Sequence, residues 1–322
     1  MAPATGQNGP MQRTPAILIG IVVLVGVVIG AFLLVGRPAE PSASPEPSTP
    51  ASAAASTPPS ASASLAADLL GRRWTVLYVG TDHNAAREAA GEDVNTDALM
   101  LVSLSADQSR LTLVSLPRDT VDVPLADGST YPGKINSLYR EEGLDALVGA
   151  MESLYGVPID AHIVVDMEDF SALVDAVGGV EVNPEAPLVD PVVDLDLPAG
   201  PQEIGAATAQ AYVRTRVDQD YGRMGRQQEV LLSLVERLVS PDTDLDLRTL
   251  LDGLTSLETD VPIDELPTLV ELARRAQDAE VERILIEPPL ITFEGDRNDG
   301  RGYVLEPDVE AIREEVSGRI GE

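Results

Sequence analysis

The 322-residue chain contains no cysteine, which excludes disulfides, thiolate nucleophiles and Cys-based metal sites. Its only histidines are His83 and His162, too few for a multi-histidine metal site and poor provision for a Ser-His-Asp triad. Aromatic residues make up 3% of the sequence, so a core must rest on Leu, Val, Ile and Ala. Positive charge is also scarce: 22 Lys and Arg face 53 Asp and Glu, a formal net charge of −31, and Lys134 is the single lysine. Nucleic-acid binding needs a basic face for phosphates, so this balance argues against a nucleic-acid partner. One small anion site focused by local geometry remains open. The chemistry left to the chain is that of carboxylates, arginines, amides and hydroxyls.

Charge is missing altogether from residues 16–36, AILIGIVVLVGVVIGAFLLVG, a run of 21 residues. As a helix it would span about 30 Å, the thickness of a bilayer core. A cleaved signal peptide has a shorter apolar region, of about 7–15 residues, and a clear small-residue cleavage site. The run therefore reads as an uncleaved anchor, with residues 1–15 a short cytoplasmic segment and the bulk of the chain outside. Residues 37–71 are dominated by Pro, Ser and Ala and predict a disordered linker, a stalk or a plain tether. Residues 72–322 form the folded extracytoplasmic domain.

Within that domain, WTVLYVG (74–80), ALMLVSL (98–104) and LTLVSL (111–116) read as buried strands, the last two joined by a hairpin turn. HIVVDM (162–167), VEV (180–182) and VERILIEP (281–288) read as further strands. LDALVGAMESLYG (144–156), DFSALVDAVGG (169–179) and RQQEVLLSLVERLVS (226–240) carry helical spacing, as do LRTLLDGLTSL and ELPTLVELARRAQD. Interleaved strands and helices with one antiparallel pair predict an α/β sandwich with a mixed central sheet flanked by helices.

Polar residues gather at the expected strand ends. Asp82 follows the first strand, Asp97 precedes the second, and Arg118 and Asp119 follow the third. If the second strand runs opposite to its neighbours, all four share one sheet edge. Carboxylates so placed suit Mg²⁺, or Mn²⁺, which prefers oxygen and leaves ligands free for phosphates. Each Asp could instead be a turn residue or a helix cap. YVRTRVDQDYGRMGRQQ (212–228) concentrates Arg214, Arg216, Arg223 and Arg226 in an otherwise acidic protein. An extended YVRTR would put Arg214 and Arg216 on one face. A helix opening at RMGRQQ would gather Arg223, Arg226 and Gln227 at its N-terminus. Guanidinium groups grip phosphate oxygens in pairs, so the cluster reads as a pyrophosphate-sized anion pocket. Salt bridges to Asp218 and Asp220 are the alternative use.

VLYVGTD (76–82), NTDALMLVSL (95–104), LTLVSLPRDT (111–120), GKINSLY (133–139), residues 155–182 and AYVRTRVDQDYGRMGRQQEVL (211–231) follow one another in an order and spacing that resembles the extracytoplasmic domain of the LytR-CpsA-Psr family. The resemblance covers roughly residues 72–240. It implies a phosphotransferase that moves a glycopolymer from a polyprenyl-pyrophosphate carrier to a sugar hydroxyl of peptidoglycan. It also implies that Asp82 and Asp97 bind Mg²⁺, that Arg118, Arg214, Arg216, Arg223 and Arg226 hold the phosphates with Gln227 beside them, and that Asp119, Lys134 and Asn136 support the site. The lipid would lie in an apolar groove lined by 144–154 and 163–177. One departure stands out: the family pattern has Arg-Ser-Asp-Thr where this chain has Asn95-Thr96-Asp97-Ala98, and Arg87 is the candidate replacement for the missing arginine. Asp82 and Asp119 both qualify as acceptor of the hydroxyl proton. The rival readings are a polyprenyl-pyrophosphate pyrophosphatase with the same residues and a non-catalytic wall-binding or regulatory module.

Overall fold

The structure, a computed structural model, describes residues 67–83, 89–91, 93–240, 243, 257–262 and 266–321. The expected anchor, the linker up to residue 66, Arg87 and nearly all of LRTLLDGLTSL lie outside these residues. Among the described residues no helix is long and apolar enough to cross a membrane.

Folded structure begins slightly inside the expected linker. A short helix α1 (Ala67–Leu70) puts Leu70 into the core, and Trp74 Nε1 donates to Leu69 O at 2.9 Å. The chain then enters β1 (Trp74–Thr81), β2 (Thr96–Leu104) and β3 (Arg110–Ser115). With β6 (Ala161–Val165), β11 (Glu258–Thr259) and β12 (Glu280–Leu285) they form a six-stranded sheet in the order β11-β6-β1-β2-β3-β12. β1–β2 and β2–β3 pair antiparallel, whereas β1–β6 and β3–β12 pair parallel. The sheet is mixed, as the hairpin reading of the second and third strands requires.

Side chains of successive strand residues point to opposite faces. Val76, Met100, Val102, Leu113 and Ile163 enter one apolar cluster, and Leu77, Val79, Leu99, Leu101 and Val114 enter another. The first face is covered by helices α4 (Met167–Ala176), α5 (Ala206–Arg214), α6 (Gln219–Val239) and α7 (Leu266–Arg275). The second is covered by α2 (Ile135–Glu142), α3 (Leu144–Tyr155) and α8 (Val309–Ile320). A leucine with no exposed surface, such as Leu77 or Leu101, contributes about 1.5–3 kcal/mol relative to exposure, so the two faces supply the main driving force.

Local signals set the helix ends near the sheet edge. Asp166 caps α4, its Oδ1 accepting the N–H groups of Glu168 and Asp169 at 2.8 Å each. Gly179 closes that helix at φ 111°, and a Cβ there would sit 3.0 Å from Ile204 O, so glycine alone fits. Small hairpins and pairs complete the fold: β4 (Val123–Pro124) with β5 (Thr130–Tyr131), β7 (Val180–Val182) with β10 (Gln202–Ile204), β8 (Leu188–Asp190) with β9 (Leu195–Leu197), and β13 (Ile291–Asp296) with β14 (Tyr303–Pro307).

Two expectations about the arginine segment need correction. YVRTR is not extended: Tyr212–Arg214 is the last turn of α5, drawn into helix by the Ala-rich AATAQAY that precedes it. α6 opens at Gln219 rather than at Arg223 or Arg226, so those arginines sit one and two turns inside the helix. The opposite face of the sheet also claims residues 144–154. Leu147, Ala150, Met151 and Leu154 are fully buried in the second cluster and line no groove.

Candidate active site

Three strand ends and two helix ends meet at one edge of the sheet. Gly80 faces Ala98 across the β1–β2 ladder, but Thr81 pairs with Thr96, so Asp97 is the extra residue of a bulge. Bulges re-aim a side chain at a strand end, and this one turns Asp97 into the cleft beyond the sheet. Asp82 lies next to it, with Oδ1 accepting the Asn95 N–H at 2.8 Å. β3 delivers Arg118 and Asp119 on a turn closed by Thr120, whose Oγ1 donates to Pro117 O at 2.7 Å. That turn is tied to α2 through Asn136 N–H to Arg118 O (3.1 Å) and Ile135 N–H to Thr120 O (2.8 Å). Arg214 ends α5, where a cation favours the helix dipole.

A polar cleft of about 810 Å³ is lined by Asp82, Asn95, Asp97, Arg118, Asn136, Val193, Arg214, Arg216 and Arg223. An apolar cleft of about 560 Å³ adjoins it, sharing Asp97, Arg214 and Arg223. Its walls include Tyr78, Gly80, Ala98, Val165, Phe170 and Leu234, from the sheet and from α4 and α6. Gly80 and Ala98 are cross-strand partners, and a Cβ added to Gly80 would lie 3.0 Å from Ala98 Cβ. The absence of bulk at these two positions leaves room between sheet and helices. Of the two segments expected to line a groove, 163–177 does so and 144–154 does not.

Charges within the polar cleft are interlocked. Arg118 Nη1 donates to Asp97 Oδ1, its Nε lies 3.9 Å from Asp119 Oδ2, and Lys134 Nζ lies 3.0 Å from Asp119 Oδ1. Burial works against the Arg118 charge, but Asp97, Asp119 and Asp220 outweigh it and hold the guanidinium above its ordinary value. Arg223 is only 2% exposed and pairs with Asp220 Oδ1 at 2.9 Å, while Arg216 Nε reaches the same oxygen at 3.6 Å. Burial, reinforced by Arg216 and Arg118, pulls Arg223 down to about 10 against the support of Asp220, so it stays charged at neutral pH. The buried Nε atoms of Arg118 and Arg223 have no hydrogen-bond partner. Among the described residues Arg214 has no ion pair. Crowded guanidinium groups with donors short of acceptors have the chemistry that grips phosphate-like anions.

Arg226 is engaged differently. At 6% exposure, it donates through Nε to Tyr212 O (2.9 Å), through Nη2 to Thr215 O (2.5 Å) and through Nη1 to Asp218 Oδ2 (2.5 Å). It does not line the polar cleft; it ties α5, the connecting turn and α6 together. Gln227 Nε2 reaches Asp97 O at 3.4 Å and Val213 O at 3.3 Å and lines the apolar cleft. Lys134 is committed to Asp119 and lies outside the lining of either cleft. Arg226→Lys should therefore lower thermal stability by about 2–3 kcal/mol, because an ammonium cannot span two carbonyls and a carboxylate. Thermal melts of the two proteins check this; an unchanged melt would deny Arg226 the bracing role.

Asp220, read from the sequence as a salt-bridge partner of the cluster, pairs with Arg216 and Arg223. One residue not singled out from the sequence also belongs here. Arg140, from α2, donates to Asn95 Oδ1 at 3.1 Å and pairs with Asp93 at 3.2 Å, so a guanidinium does stand against Asn95.

Among the described residues no group of three or more His, Asp or Glu could hold a metal ion. Asp82 and Asp97 each have one carboxylate oxygen taken by a donor of the protein. An ion held between these two carboxylates would have to draw the rest of its shell from phosphate and water.

The model of the family described as LytR_cpsA_psr matches residues 51–316. The chain is 34% identical over 193 residues to a Corynebacterium glutamicum protein named probable cell wall biosynthesis protein LcpB, covering 56% of this chain and 45% of that one. It is 27% identical over 207 residues to Bacillus subtilis TagV, named polyisoprenyl-teichoic acid–peptidoglycan teichoic acid transferase, covering 62% and 52%. The chain thus spans about half the length of the curated relatives it matches. The crystal structure of B. subtilis TagV superposes with a TM-score of 0.61 at 24% identity, over 78% of this chain and 98% of that one. A structure of TagT bound to LI-WTA gives a TM-score of 0.59 at 22% identity, over 78% and 92%.

Proposed function

The chain belongs to the LytR-CpsA-Psr family, and on that premise we propose that it transfers a glycopolymer from a polyprenyl diphosphate to a sugar hydroxyl of peptidoglycan. The observation that carries this reading is the pair of joined clefts. One is rich in arginine and the other is apolar, and Asp97, Arg214 and Arg223 stand where they meet. A lipid-linked diphosphate is the ligand class with both chemistries. Its chain fits between the sheet and the α4–α6 layer, and its phosphates fit among Arg118, Arg214, Arg216 and Arg223. The names of the relatives point the same way, since TagV is named for transfer of teichoic acid to peptidoglycan.

Diphosphate cleavage asks for positioning and charge neutralisation rather than a covalent enzyme intermediate. Arg223, buried and short of acceptors, would grip the phosphates from the helix side. Arg118 would do so from the β3 turn, with Asp119 and Lys134 holding that turn and Asn136 lining the cleft beside it. A Mg²⁺ held by Asp82 and Asp97 would supply further positive charge at the diphosphate oxygens. The acceptor hydroxyl adds to the glycan-bearing phosphorus, the bond to the bridging oxygen breaks, and lipid monophosphate leaves with the electron pair. The hydroxyl proton passes to a carboxylate, Asp82 or Asp119. The apolar run at 16–36 would hold the enzyme at the membrane that contains its donor.

The test is to supply the full chain with a polyprenyl-diphosphate-linked glycan and peptidoglycan fragments. A phosphodiester-linked conjugate is the expected product. Hydrolysis without conjugate would make the protein a pyrophosphatase, and no consumption of donor would make it a binding module. Ala98→Leu, which places bulk on the floor of the apolar cleft, should reduce use of a long-chain donor about tenfold or more while sparing a short-chain one. Equal use of the long-chain donor would remove the lipid from this cleft.

A further inference from the structure

The hairpin formed by β13 and β14 has no part in holding the donor, yet it is built into the site. Leu305 N–H donates to Asp119 O at 3.1 Å, and Val121 N–H donates to Leu305 O at 3.0 Å, so the hairpin is hydrogen-bonded to the turn that carries Arg118 and Asp119. On its other flank, Tyr221 of α6 donates its hydroxyl to Glu294 Oε2 at 3.2 Å, and Tyr303 donates to Glu294 Oε1. The result is a small shelf of two phenols held by one carboxylate, with the Tyr303 ring 50% exposed. Burial and Glu294, with the charges of Asp220 and Asp119, hold the Tyr303 hydroxyl up at about 12.

The shelf lies on a definite side. Ile291, Leu305 and Tyr221 pack with the second apolar cluster, whereas the apolar cleft is walled by residues of the first. The sheet therefore separates the hairpin from the cleft assigned to the lipid, and the polar cleft lies at the edge between them. Phosphoryl transfer runs in line: the entering and leaving oxygens stand on opposite sides of phosphorus. If lipid phosphate departs toward the apolar cleft, the acceptor hydroxyl must enter from the hairpin side. The exposed Tyr303 ring offers an apolar sugar face a flat surface, and Glu294 and Tyr221 offer hydrogen-bond partners to sugar hydroxyls and amides. We propose that the β13–β14 hairpin, centred on Tyr303 and Glu294, is the shelf on which the acceptor glycan strand rests. This inference rests on the transferase reading.

The experiment uses the full chain with Tyr303→Ala and Glu294→Gln. Tyr303 is half-exposed, so its removal leaves the core intact, and thermal melts verify this. With a soluble peptidoglycan glycan oligomer as the varied acceptor, Tyr303→Ala should raise the acceptor KM about tenfold while the donor KM stays unchanged. Glu294→Gln should raise it less, because an amide oxygen can still accept from one tyrosine. Binding of the same oligomer, without donor, is measured in parallel by NMR titration. Weakened binding to Tyr303→Ala would sustain the shelf even if no transfer were seen, and the transferase reading alone would then fail. An unaltered acceptor KM, or oligomer binding indifferent to Tyr303, would overturn the shelf and leave the donor site standing.

Discussion

Asp97→Asn should leave the fold in place and lower turnover by about 100-fold or more, with loss of its dependence on Mg²⁺. Asp97 is the bulge residue of β2, so its side chain projects into the cleft and supports no ladder contact. Its carboxylate balances Arg118 in the free protein. Asparagine keeps the shape but removes the charge, and two effects then separate. Arg118 loses its counter-ion and becomes a stronger partner for phosphate, so donor affinity should hold or rise. The rate should fall, because one of the two carboxylates proposed to hold the metal is gone. Turnover measured across a Mg²⁺ titration, beside donor binding and a thermal melt, gives all three readouts. A variant with wild-type rate and wild-type metal response would take Asp97 out of the chemistry.

Arg223→Met is expected to weaken donor binding by about 10- to 100-fold, and the ligand-free protein should melt at the same temperature or higher. The affinity loss follows from a charge-assisted hydrogen bond being worth about 1.5–3 kcal/mol. The stability effect has the opposite sign to intuition. Arg223 is a buried guanidinium with an unpartnered Nε, crowded by Arg216 and Arg118. Replacing such a charge by an apolar chain of similar length removes its desolvation cost and the repulsion from Arg216 and Arg118, and Asp220 keeps Arg216 as its counter-ion. Arg226→Lys should do the reverse, lowering stability with the donor pocket left intact. If Arg223→Met instead melts much lower and binds donor normally, Arg223 is a structural partner of Asp220 and the anion pocket loses its inner wall.

These two arginines show where sequence reading reaches its limit. Both lie in RMGR, three residues apart, and nothing in their spacing distinguishes them. Their difference arises because the helix begins at Gln219, four residues earlier than Arg223. That start directs Arg226 back onto the carbonyls of Tyr212 and Thr215, and leaves Arg223 facing the cleft. The early start is poorly signalled, since Asp218 precedes it without making a side-chain cap. The helical state of Tyr212–Arg214 is poorly signalled for a related reason: Tyr and Val favour strand, and the alanines that carry the helix into them lie upstream. The β8–β9 and β13–β14 hairpins escape local pattern because strands of three to six residues leave too short a run to detect.

The sequence by itself determined the mixed α/β architecture, since buried apolar runs of period two and helices of period 3.6 have no other way to cover one another. It also put Asp82, Asp97, Arg118 and Asp119 at strand ends, and the antiparallel pairing of β1, β2 and β3 brings those ends to one edge. Tertiary structure decided which face each helix covers, placing 144–154 behind the sheet and opening the apolar cleft over Gly80 and Ala98. It also decided which arginines face the cleft and which brace it, and it set Tyr303 and Glu294 beside residues nearly two hundred positions away. Such choices depend on packing between elements distant in the chain. That packing is governed by volume and partner geometry, which local periodicity does not encode.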